Sequence, residues 1–315
     1  MLAIFNVAFP VFGLILVGFV CRRRNVLGPN ASIELNRFVI YLGLPALLFE
    51  AMARLGTLQG LDMGYVLAFG LGMGIVFVLT LWLRLRARAH FLDATIDALG
   101  AGYPNSGFLG IPLCLLTFGD PGIAPAVIGA VMTACLLFAV AIIMIETFQQ
   151  TEKRLGRTLL KVGNSLVRNP IMVAPVLGSL VAYSGLVLPV GVRQLFQFLG
   201  AAAGPCALVS IGLFLAAEKS HKADGKALAM LVAMKLLVQP ALTAWLAFWV
   251  FDIPAMWAWA ALLVSALPIG NGPFMLAALY GREADTMSRA ILVSTLLSLV
   301  TVSLILAWIP AAVQR

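Results

Sequence analysis

Charge is what this sequence has least of. Asp, Glu, Lys and Arg supply 11% of its 315 residues, and hydrophobic residues supply 62%. Soluble domains carry about 25% charged residues, so the composition excludes a water-soluble globular domain. Histidine is nearly missing too: His90 and His221 are the two present, both in basic stretches outside the apolar runs. With no histidine in a span, no H-E-x-x-H and no aspartate pair, an intramembrane enzyme is left as a remote alternative. The four cysteines, Cys21, Cys114, Cys135 and Cys206, are scattered without metal-ligand spacing and read as buried free thiols. No metal site and no cofactor is expected. No G-x-x-x-x-G-K-[ST] segment occurs to support ATP-driven pumping by this polypeptide.

What charge there is leans positive, at +8. The basic residues sit in short loops between apolar runs, which makes them orientation signals and not a nucleic-acid surface. The first apolar run, Leu2 to Val20, lacks a positive region before it, and Arg22, Arg23 and Arg24 follow it. It reads as a retained span and not as a signal peptide.

Apolar runs of about 20 residues predict an all-α polytopic membrane protein with ten transmembrane helices. They lie near 3–20, 35–56, 63–83, 94–117, 123–146, 169–187, 191–216, 227–250, 256–280 and 286–309. Loops on one side carry sixteen cations, among them Arg84, Arg86, Arg88, Lys153, Lys222 and Arg282. Opposite loops and the C-terminus carry three, Arg54, Arg193 and Arg315. The asymmetry places both termini outside the cytoplasm. Asn30-Ala31-Ser32 matches a glycosylation sequon but falls on the cytoplasmic side.

A hydrophilic connection divides the chain into residues 1–146, a cytoplasmic loop over 147–168, and residues 169–315. Prolines mark a repeat between the halves: Pro10 and Pro45 are 35 apart, as are Pro170 and Pro205. The first half holds YPNSGFLGIPL from Tyr103, and the second holds LPIGNGPF from Leu267. Asn105-Ser106-Gly107-Phe108 aligns with Asn271-Gly272-Pro273-Phe274. Because each half has five spans, the second copy enters the membrane from the opposite face. Pro104, Pro112, Pro268 and Pro273 break the fourth and ninth spans, since proline removes a backbone donor and clashes with the preceding turn. In hydrocarbon such breaks must be covered by protein or line a cavity. Inverted repeats with matching broken helices are a transporter signature, with the breaks meeting near the midplane.

The chain resembles the auxin efflux carrier family, whose plant branch contains the PIN-type carriers and whose bacterial branch includes malonate-type carriers. The resemblance rests on Leu35-Asn36-Arg37-Phe38 leading to Leu44-Pro45-Ala46, on YPNSGFLGIPL, and on Gly204-Pro205-Cys206-Ala207-Leu208. Lys235-Leu-Leu-Val-Gln239-Pro240 and LPIGNGPF complete it. It implies two inverted five-helix repeats with crossed broken helices four and nine. It also implies a scaffold of spans 1, 2, 6 and 7 beside a transport domain of spans 3–5 and 8–10. The large central hydrophilic loop of long plant members is missing, which favours a bacterial carboxylate carrier over an auxin carrier.

The candidate substrate-binding residues are Pro104, Asn105, Ser106, Gly107, Asn271, Gly272, Lys235 and Gln239. Asn105 and Asn271 can donate and accept at a ligand, or simply cap the broken helix ends. Lys235 lies about nine residues into span eight, or roughly 13 Å of helix, which strains a snorkelling reach. It can neutralise a carboxylate, occupy a coupling-cation position or brace the crossing, with Gln239 one turn away on its face. Glu50 reads as the one carboxylate within a span, either a proton carrier or a solvated acid. Pro45 and Ser210 complete the candidate lining, with core satisfaction the plainer role for Ser210 and Asn36.

The expected function is secondary active transport of a small organic anion, such as malonate, by alternating access, with an elevator-like motion as one form. Proton or sodium coupling is open. The rivals are a sodium/proton antiporter or bile-acid-type symporter of similar architecture. Expected partners are the anion and the lipid bilayer, with a second copy of the chain as a candidate partner. The expected location is the bacterial inner membrane.

Overall fold

A computed structural model describes residues 2–55, 62–149, 170–217, 224–282, 284–310 and 313. The connection expected over 147–168 lies largely outside these residues, as do Lys153, Lys222 and His221. The described chain is helical, with no named strand. The helices are α1 Leu2–Arg23, α2 Ala31–Phe38, α3 Leu44–Leu55, α4 Met63–Arg86, α5 Phe91–Gly102, α6 Ile111–Phe118, α7 Ile123–Val131 and α8 Phe138–Gln149. After the undescribed connection come α9 Pro170–Ser184, α10 Val190–Ala217, α11 Gly225–Ala233, α12 Gln239–Trp245, α13 Ala255–Ser265, α14 Gly272–Leu279 and α15 Asp285–Trp308.

Among the described residues, six helical stretches are long and apolar enough to cross a membrane: Ala31–Glu50, Met63–Arg86, Ile123–Gln149, Val190–Leu213, Gly225–Val250 and Asp285–Trp308. Each overlaps a span read from the sequence. The expected spans 94–117 and 256–280 are each divided into two helices, separated by residues 103–105 and 266–271.

Wide π-turns interrupt several of these stretches, and three have a sequence cause. Leu44, Ile111 and Gln239 each donate a backbone N–H five residues back, to Val39, Ser106 and Met234. Each is followed directly by proline: Pro45, Pro112 and Pro240. Proline cannot supply the next hydrogen bond, and its ring crowds the carbonyl four residues behind. A widened turn relieves that crowding without ending the helix.

The chain forms two compact units. One comprises Met1–Gly13, Gly60–Thr133 and Glu218–Arg315; the other comprises Leu14–Gln59 and Ala134–Ala217. The helical stretch over 123–149 therefore passes from the first unit to the second partway along. In the first unit, Tyr65 is fully buried, stacks on Phe69 and donates its hydroxyl to the Pro125 carbonyl at 2.6 Å. In the second, α1 and α10 touch backbone to backbone. A Cβ on Gly18 would run into the Val209 carbonyl, and one on Gly212 into the Ile15 carbonyl. Small residues permit such close approach where lipid, being as apolar as leucine, supplies little driving force for association.

Candidate functional site

The site lies in the first unit, where the two breaks meet. Pro104 and Ile269 form an isolated antiparallel bridge. Asn105 N–H donates to the Pro268 carbonyl, and Gly270 N–H to the Tyr103 carbonyl, both at 2.9 Å. This two-bond pairing satisfies backbone groups that the broken helices release, as a buried setting requires. Ser294 of α15 completes it by accepting from Ile269 N–H at 3.1 Å. The Tyr103 ring lies over the second break, so that a Cβ on Gly272 would sit 2.6 Å from its Cζ.

Two helices end at the pairing and two begin beyond it. The α5 terminal carbonyl, on Gly102, accepts from Gln239 Nε2 at 3.3 Å. The α13 terminal carbonyl, on Ser265, accepts from Lys235 Nζ at 2.5 Å. Lys235 and Gln239 are completely buried. A single face of the 225–250 stretch thus serves the end of each broken helix. Helix C-termini carry partial negative charge and unsatisfied carbonyls, which donors and cations stabilise.

The helices that begin here leave polar groups open. Asn271 holds the N-cap position of α14, yet its side chain makes no capping bond. It is 3% exposed, and among the described residues neither its amide oxygen nor its nitrogen has a partner. Asn105, 5% exposed, likewise makes no side-chain cap where the 106–118 stretch starts. The capping role considered for these two residues is therefore not the one the geometry gives them. The Gln239 Oε1 and Thr243 Oγ1 atoms, also buried, have no partner among the described residues either. An orphaned buried amide costs about 1–3 kcal/mol, which native structures keep for a reason. Beside Asn105, a Cβ on Gly107 would meet nothing within 4 Å.

Ser106 is committed locally. Its hydroxyl donates to the Pro104 carbonyl at 3.3 Å and lies 3.5 Å from Thr133 Oγ1. Pro273 falls in the first turn of α14, where a missing N–H costs little, whereas Pro112 follows the π-turn within the 106–118 stretch. Pro45, Glu50 and Ser210 belong to the second unit, and the paired breaks to the first. Ser210 and Ser32 exchange bonds, each hydroxyl donating to the other's carbonyl at 2.9 and 3.0 Å. Glu50 lines a cavity of about 430 Å³ with Arg193, Phe49 and Phe196.

Several residues escape a reading by runs and motifs. Glu50 is not the one carboxylate inside a span: Asp97, 7% exposed, lies in the expected fourth span and pairs with Arg84 at 2.7 Å. Arg84 also meets Asp224 at 3.2 Å, and Arg282 grips Asp93 through two bonds of 2.7 and 2.5 Å. Arg84 and Arg282, expected as orientation signals, thus pair with acids. The Ala227 N–H, ahead of the Arg84 contact, holds the Asp224 carboxyl below its ordinary range. The i, i+4 spacing of Asp93 and Asp97 is the signal that placed both on one helix face.

An all-helical chain with six long apolar helices and two interrupted ones paired at their breaks is a multi-pass membrane protein. Residues 3–306 match the membrane transport protein family model, and the chain belongs to that family. It is 26% identical over 304 residues to a Rhizobium meliloti protein named "Putative malonate transporter", covering 96% of this chain and 95% of that one. It is also 26% identical to an uncharacterized transporter of Methanothermobacter thermautotrophicus, over 93% of this chain and 94% of the relative. A rice protein named "Probable auxin efflux carrier component 1b" is 32% identical over 146 residues, 45% of this chain and 26% of its own length. The protein is a transporter, not an enzyme.

Proposed function

We propose that the chain is a secondary active carrier of a small organic anion, a dicarboxylate of the malonate type, working by alternating access. The observation that carries the reading is the unpartnered Asn271 amide at the start of α14, beside the paired breaks. An N-terminal half-helix end attracts anions through its dipole and free N–H groups, and an amide adds both a donor and an acceptor. The near-full-length match to a relative named for malonate supports the substrate class.

In this reading ten spans form two inverted five-helix repeats, with the broken fourth and ninth spans crossing at the binding site. The unit holding the breaks is the moving part, and the unit of Leu14–Gln59 and Ala134–Ala217 is the scaffold. The division into two compact units supports this grouping, with the first and fifth spans each divided between them. The location is a bacterial inner membrane with both termini outside. Uptake of radiolabelled malonate into proteoliposomes, under imposed proton, sodium or no gradient, tests the proposal. Saturable uptake blocked by unlabelled dicarboxylates is expected; no uptake of any small carboxylate in either direction overturns it.

A further inference from the structure

The fully buried Lys235 side chain makes its hydrogen bond through Nζ to the Ser265 carbonyl, at the very end of α13. Among the described residues no carboxylate pairs with it. One turn on, Gln239 does the equivalent job for α5 without a charge. The two helix ends thus meet different donors, one the Gln239 amide and one the Lys235 amine. A charge so placed must be held by dipoles, because an ammonium with no partner is prohibitively costly in hydrocarbon. The end of α13 supplies them: about half a unit of negative charge and, in Ser265, a carbonyl in direct contact. In carriers built from broken helices, such C-terminal ends and freed carbonyls are where an alkali cation binds. No group of three or more His, Cys, Asp or Glu able to hold a metal ion occurs among the described residues.

We propose that the Lys235 side chain is a built-in cation that permanently fills the cation position at the end of α13, so that this break binds no alkali ion of its own. Lys235 is then a positioning residue: it fixes the end of α13 and, through residues 266–271, the approach to Asn271. It does not meet the substrate. The proposal rests on the carrier reading only for its consequence, that substrate movement draws on no sodium gradient through this break.

The test uses purified full-length protein without substrate, so that it stands or falls separately from transport. Melting of the parent and of Lys235→Ala is followed in choline chloride, sodium chloride and methylammonium chloride at equal ionic strength. The parent is expected to melt alike in all three. Lys235→Ala is expected to melt lower in choline and to recover by about 2–4 °C or more in sodium or methylammonium, as a cation fills the vacated position. Lys235→Gln retains a donor without the charge and should gain the same cation dependence; Lys235→Arg retains the charge and should not. Should Lys235→Ala fail to fold, the Gln and Arg variants carry the comparison. Cation-independent melting of the Gln variant, or an equal sodium response in the parent, overturns the proposal.

Discussion

Gln239 donates to Gly102 across 137 positions of sequence, and the carbonyl it reaches is the last of α5. Its own Oε1 has no partner among the described residues. One amide therefore meets a demand of the broken helix and leaves another of its own unmet. The two terms oppose each other in any substitution.

Gln239→Leu removes both the donor to Gly102 and the orphaned oxygen, so its net cost should be small, on the order of 1 kcal/mol. Gln239→Glu removes the donor and adds a buried carboxylate facing a carbonyl, which should cost several times more. Thermal melting in detergent should rank the parent first, the leucine variant second and the glutamate variant last. A glutamate variant as stable as the leucine variant would mean that this amide does not face the α5 end.

Gly272 lies under the Tyr103 ring, whose Cζ is 2.6 Å from where a Cβ would stand. Gly272→Ala should therefore strain the pairing of the breaks, at about 1–3 kcal/mol for overpacking. Tyr103→Phe leaves the ring in place, but Tyr103→Leu frees space, so Gly272→Ala combined with Tyr103→Leu should recover part of the lost stability. Additive losses in the double variant would show that the ring is not what the glycine accommodates.

Both breaks are legible in the sequence because proline and glycine act locally, on the turn in which they sit. Their pairing is less so. Two hydrogen bonds join Tyr103 and Asn105 to residues beyond position 267, and so short a pairing leaves no periodic pattern to read. Lys235 stands out as a charge in an apolar run, but its acceptor is a backbone carbonyl, which has no sequence signature. Asp97 is hidden by a count that sets span limits first and charges second; its partner Arg84 falls just past the expected end of span three. Ser294 looks like one more small polar residue in an apolar helix until the Ile269 N–H it satisfies is seen.

Orientation can be tested at helix ends that the structure describes. Asp62 caps α4 and Asp252 precedes α13, whereas Arg86 closes α4 at its other end. With the native cysteines replaced, single cysteines near Asp62 and Asp252 should react with a membrane-impermeant maleimide in intact cells. One near Arg86 should react only after permeabilisation. The reverse pattern would overturn the charge-based orientation.

Asn271 offers the sharpest separation of binding from folding. Its amide is buried without a partner, so the empty protein carries the cost of desolvating it. Asn271→Ala removes that cost while cutting away only a few side-chain atoms. The variant should therefore melt at the parental temperature or above it. A ligand that bonds the amide loses those bonds, and about 1.5–3 kcal/mol for hydrogen bonds to a charged group corresponds to roughly a 10- to 150-fold weaker Kd. Asn105→Ala should weaken binding in the same direction. Malonate titration and uptake, measured beside melting on the same preparations, decide the matter. Lost binding with unchanged or raised melting places the amide at the substrate. Lowered melting with unchanged binding would make Asn271 a structural residue of the break and move the anion site elsewhere.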